Sequence, residues 1–205
     1  MAPNRSATPK EISASFRAYT AVIGELVWAS NFLQGEFEIL FCHVATLGEF
    51  PVGRAIWHAS PSDSSRLLML AAAAEASERL SKKDRSNILW SIEKAKKLSE
   101  LRNDAAHSLT RLTTKSPAKV AISQHGTKPA RYRKLEPKPD LKRHYRLVAS
   151  DLWRLVAYVR DLWSRVGGFD ELPPLPRRPR LVSVPKNNQK KQRRRPKPKQ
   201  PHVHP

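Results

Sequence analysis

The residues of this chain best suited to chemistry lie together in one stretch, Leu101-Arg102-Asn103-Asp104-Ala105-Ala106-His107. Histidine titrates near neutrality and serves as a general acid or base, while arginine is a permanent cation that stabilises developing negative charge. Helical counting puts Arg102 on an apolar stripe set by Ile88, Ile92 and Ala95 and resumed by Ala106 and Leu109. A guanidinium on such a stripe must meet a carboxylate, carbonyl oxygens or a phosphate, because burying it unpaired is costly. The expected structural partner is a glutamate of the first helix, Glu25 or Glu36, with His107 bonding helix-terminal carbonyls. Asn103 and His107, four residues apart, are neighbours on an adjacent face. Arg102 and His107, five apart, differ by about 140° around the axis and about 7.5 Å along it. A single helix does not bring those two together; a second copy of the motif would.

Other chemical templates fail. There is no G-x-S-x-G, no phosphate-cradling glycine loop among the seven glycines, and no Cys/His cluster at metal-binding spacing. His202 and His204 supply too few ligands for a closed metal site. Glu36 and Glu38 are two residues apart and face different directions on a helix, so they are expected to be solvated charges and not an acid/base pair. The single cysteine, Cys42, lies in an apolar stretch, fits a core position and excludes a disulfide framework. No metal or cofactor is implied.

These residues need a scaffold, and the pattern supplies helices. Thr8-Pro9-Lys10-Glu11 reads as a capping box with proline at the first helical position. Ile12, Phe16, Tyr19, Ile23, Leu26, Ser30, Leu33, Phe37, Leu40, Val44 and Leu47 then follow in steps of four and three, one long amphipathic helix with Gly35 as a candidate kink. Short and medium helices are expected over 52–58 and 61–80, the second capped by Ser60. A third long helix starts at the Ser81-Lys82-Lys83-Asp84 box and runs to Leu109. Residues 110–138, with three prolines and a glycine among basic residues, read as a basic insert holding at most a ribbon of KVAIS (119–123) and ARYRKL (130–135). The last helix, 140–166, carries Leu141, Tyr145, Val148, Leu152, Leu155, Val159, Leu162 and Val166 and stops at Gly167-Gly168. The fold class is all-α, an antiparallel bundle of four to five helices over 9–168. Residues 173–205, rich in proline, lysine and arginine, form a tail expected to be disordered.

Charge points to partners. Lys and Arg number 38 against 18 Asp and Glu, and the excess is segregated: 11 basic and no acidic residues over 177–199, and 11 basic against Glu136 and Asp140 over 111–146. The remainder of the chain is neutral. A polyanion is the expected partner, nucleic acid ahead of an anionic membrane surface. The stretch PPLPRRP in the tail is expected to be a solvated polyproline spacer. With no apolar signal-like start, and with Leu67–Ala74 as the longest clean apolar run, a soluble cytoplasmic protein without a membrane span is expected.

The string RNDAAH, residues 102–107, resembles the R-x-x-x-x-H signature of the HEPN superfamily, including the polar residue after the arginine. The resemblance covers about residues 9–168 and implies an all-helical bundle with the motif late in a central helix. It also implies a metal-independent endoribonuclease, often a toxin or defence protein, that acts on RNA as a homodimer with a shared cleft and is opposed in some cases by a cognate antitoxin. By the same resemblance His107 is the acid/base, Arg102 the phosphate and transition-state ligand, and Asn103 the orienting group. Some members have lost activity and only bind. A non-catalytic helical module whose basic segments bind nucleic acid or an acidic protein is therefore the second reading.

Overall fold

Local capping starts the helices where the sequence places them. Thr8 Oγ1 accepts from Glu11 N while the Glu11 carboxylate accepts from Thr8 N, and α1 runs without interruption over Pro9–Ala45. Ser81 Oγ accepts from Asp84 N at 3.1 Å and donates to its carboxylate at 2.6 Å, opening α4 (Lys82–His107). Between them lie α2 (Phe50–Ala59) and α3 (Asp63–Ala76), and α5 (Leu141–Val166) completes the set. The computed structural model describes residues 8–46, 49–107, 109–115, 119–125, 141–167 and 174–184.

Among the described residues the architecture is a bundle of five helices with a two-stranded ribbon after α4. Successive helices alternate in direction, as contacts along their lengths show. Glu38 meets Arg54 and His58, running α2 back along α1; Asp63 meets Arg102 and Ala74 meets Arg85, opposing α3 and α4. Asp84 meets Arg165 and Trp90 meets Tyr158, opposing α4 and α5. The first and last helices therefore run parallel, with Tyr19 against Tyr145, Phe32 against Trp153 and His43 stacked on Trp163. Their facing stripes are buried: Leu26, Leu33, Phe37 and Leu40 of α1 and Tyr145, Val148, Leu152, Leu155, Val159 and Leu162 of α5. Each such leucine or valine contributes about 1.5–3 kcal/mol by leaving water. At Gly53 of α2 an added Cβ would meet Cys42 Sγ at 2.6 Å, so this glycine lets the short helix lie against α1. Among the described residues, no helix is long and apolar enough to cross a membrane.

Several expectations are corrected. The helix expected over 61–80 is shorter: Ser62 is its N-cap, accepting from Ser65 N, and Ser60 ends α2. α4 stops at His107, and Leu109 opens a strand, so the apolar stripe passes through buried Ala105 and leaves Ala106 exposed. The ribbon pairs β1 (Leu109–Lys115) with β2 (Lys119–His125), antiparallel from Leu109 opposite His125 to Lys115 opposite Lys119. Thr110, Thr113, Thr114, Val120 and Ile122 supply the β-branched content that suits strands. The 119–123 strand thus stands, but its partner precedes it; residues 130–135 lie outside the described residues.

The start of the expected disordered tail is also corrected. Residues 174–184 form an extended strap laid on α4 and α5, with Leu181 and Val184 packed on the core. Arg178 donates to Asn87 Oδ1, Ser86 O and Ser86 Oγ and lies over the Trp90 ring, 5.5 Å from its centroid. Ser183 N and Oγ both donate to Asp151 Oδ2 at 2.6 Å. Low apolar content was compensated by specific polar anchors, which hydrophobic patterning does not register. His202, His204 and the rest of 185–205 lie outside the described residues.

Candidate functional site

The motif occupies the last turns of α4, a helix held by burial of Ile88, Ile92, Ala95 and Leu98. Arg102 Nη2 donates to Asp63 Oδ2 at 3.1 Å, with about one fifth of the arginine side chain exposed. Asp63 is the first residue of α3, directly after the Ser62 N-cap, where the positive end of the helix dipole favours a carboxylate. It also receives Arg66 Nη1 at 3.5 Å. Arg102 Nε is buried and has no hydrogen-bond partner among the described residues. Nε is enclosed where it stands, so a further oxygen would meet the guanidinium through its exposed fifth.

Asn103 is half-buried, and its side chain makes no hydrogen bond among the described residues. His107 closes α4, and its side chain lies outside the described residues. Helical geometry puts Asn103 and His107 on one face, whereas Arg102 is turned toward α3. The structure thus brings Arg102 to Asp63, and no contact between Arg102 and the other two is described. Asp63 was missed by sequence reasoning. Its signal was its place in the Ser62-Asp63 cap, which marks the α3 start but not its partner.

The glutamates nominated for Arg102 are engaged elsewhere or face solvent. Glu36 is buried, accepting from Arg160 Nε at 3.0 Å, from Arg160 Nη2 and from Trp163 Nε1 at 2.7 Å. The carboxylate in turn pushes the Arg160 guanidinium above its usual range through hydrogen bonding and charge. Glu38 is half-buried and accepts from Arg54 Nε at 2.7 Å. The expectation of two solvated charges fails because α2 and α5 close over this face of α1. Glu25 is exposed.

Further groups are perturbed away from the motif. Burial lowers the His43 pKa, and its ring is stacked on Trp163. Burial raises the Cys42 thiol, with the Glu38 charge adding to the effect; Cys42 is wholly buried, as expected of a core residue. Burial raises the Tyr158 phenol, partly offset by Arg178. Among the described residues, no group of three or more His, Cys, Asp and Glu side chains is placed to hold a metal ion.

The arrangement offers an anchored guanidinium with an unused buried donor, next to a polar helix end. Compared with models of known protein families, with curated proteins and with solved structures, the chain matches none.

Proposed function

We propose that this protein is a metal-independent endoribonuclease of the HEPN type, a toxin or defence protein that acts on RNA in the cytoplasm as a homodimer. The observation that carries the reading is Arg102, held by Asp63 at the end of a bundle helix with its buried Nε still unpartnered. In this reading the ribose 2′-oxygen attacks its own phosphorus and the bond to the 5′-oxygen breaks, leaving a 2′,3′-cyclic phosphate and a 5′-hydroxyl. His107 takes the 2′-hydroxyl proton and returns it to the leaving oxygen, Arg102 holds the phosphate as charge develops, and Asn103 orients it. A cognate antitoxin of acidic character would suit the basic insert.

The second reading is a non-catalytic helical module that binds nucleic acid or an acidic protein. It is favoured by the Arg102–Asp63 ion pair, which by itself gives the arginine a structural reason to be on an apolar stripe. Incubation of purified protein with total RNA in EDTA decides between them. Ends bearing cyclic or 3′-phosphate, abolished by His107→Ala, support the ribonuclease. Equal inertness of wild type and variant supports the binding module.

A further inference from the structure

Over residues 141–158 the α5–strap face carries exposed cations and, among the described residues, no exposed acid; exposed Asp161 lies just beyond this stretch. Over residues 141–158 the basic residues are Lys142, Arg143, Arg146 and Arg154, and the one acid, Asp151, is fully buried under Ser183 and Arg154. The strap adds Arg177, Arg178 and Arg180 and no acid. Arg177, Arg178 and Arg180 are all exposed, and Arg178 also lies over Trp90. Arg154 Nη1 donates to Arg180 O at 3.2 Å, which ties the strap to this helix cation.

The charges are also placed against the local dipole. The first turn of α5 has no acidic residue and instead holds Lys142 and Arg143 near the positive helix end, with Arg146 one turn later. Cations there oppose the helix dipole and cost stability. An anion bound over them reverses that cost.

The face has a direction. The strap meets Trp90, level with Tyr158, through Arg178, then Arg154 through Arg180, then Asp151 through Ser183, and so descends α5 toward its N-terminus. Because α4 opposes α5, that is also the end of the bundle where α4 carries Arg102, Asn103 and His107. From residue 158 to residue 142 the helix rises about 24 Å. A narrow line of this length fits a linear polyanion better than a flat lipid surface.

We propose that Arg146 and Arg154 of α5 with Arg177 and Arg180 of the strap form a track for the phosphate backbone of single-stranded RNA, leading to the motif end of α4. The choice of RNA among polyanions rests on the ribonuclease reading; the track itself rests on charge and geometry. The strap is what makes the track, since it converts a flexible basic segment into fixed charge along α5.

The test uses full-length His107→Ala protein, which removes cleavage from a binding measurement, and a fluorescent uridine 20-mer titrated across salt concentrations. Each single-strand phosphate contact contributes about −0.7 to the slope of log affinity against log salt. Arg146→Gln, Arg177→Gln and Arg180→Gln together are expected to flatten the slope by about 2. The control variant, Arg17→Gln with Lys82→Gln and Lys83→Gln, removes equal charge from exposed positions off the track and is expected to leave the slope unchanged. Thermal melting confirms that both triple variants fold, and the three single variants read the same effect in thirds. An unchanged slope in the track variant, or an equal loss in the control, overturns the proposal. So does loss of binding to phosphatidylserine vesicles with RNA binding intact, which would assign the face to lipid. If wild type binds through the track yet cuts no RNA, the ribonuclease reading fails and this one stands.

Discussion

Two arginine–carboxylate pairs in this bundle differ in what they leave unused. Glu36 is enclosed by α1 and α5 and takes both Arg160 nitrogens and the Trp163 indole N–H, so each of its oxygens has a donor. Arg160 is about half exposed and reaches in from the surface. The pair on α3 and α4 is inverted. There the carboxylate of Asp63 is the more exposed partner and the Arg102 guanidinium is the sheltered one, with Nε lacking a partner among the described residues. A buried acceptor that is fully met is a structural device; a buried donor that is left unmet needs a reason, and a ligand is one such reason. Asp151 belongs with Glu36, since Arg154, Ser183 N and Ser183 Oγ enclose it.

Catalysis gives the contrast its largest expected effect. Arg102→Ala and His107→Ala are each expected to lower RNA cleavage in EDTA by about 10²–10⁴-fold with the helical signal intact. Arg160→Ala should leave the rate within a small factor. Equal rates for the Arg102 and Arg160 variants would erase the distinction between the pairs.

Stability should rank in the opposite sense. Truncation after Leu172 removes the strap, with both Ser183 donors to Asp151 and the apolar cover of Leu181 and Val184, at an expected cost of about 3 kcal/mol. Truncation after Val184 keeps both anchors and should leave the denaturation midpoint in place, which urea unfolding of the two forms measures directly. Tail charge is therefore to be removed by the second cut, because the first disturbs the fold as well.

A smaller difference separates the two acids. Glu36→Ala strands the Trp163 indole N–H and should destabilise by about 2 kcal/mol. Asp63→Ala breaks a partly exposed ion pair and should cost about 1 kcal/mol or less, after allowing for solvent screening. Matched losses in both variants would show that Arg102 is as firmly structural as the Glu36 cluster.

The smallest effect is acid sensitivity at His43, whose ring stacks on the tryptophan that bonds Glu36. Burial lowers its pKa from the ordinary 6.5, so the unfolded chain binds the proton first as pH falls. The contribution of neutral His43 is fully present above about pH 6.5 and is lost as pH falls through that value toward the folded pKa. Melting temperature against pH should decline more steeply below this point in wild type than in His43→Gln.

Much of the helical framework was legible because its signals are local. The boxes at Thr8 and Ser81 satisfy backbone donors within three residues, and the α5 stripe from Leu141 to Leu162 is buried throughout, since periodicity records which face leaves water. The sequence by itself also determined that Arg102 needed an oxygen partner, because a guanidinium on an apolar stripe is costly whatever the fold. Which oxygen was decided by tertiary structure alone. Asp63, 39 residues away, reached it because α3 opposes α4, and Glu36 was taken by Arg160, 124 residues on, because α5 runs parallel to α1. The strap likewise depended on Asp151 and Trp90 being presented by two packed helices, and no composition rule sees an anchor that a distant element supplies.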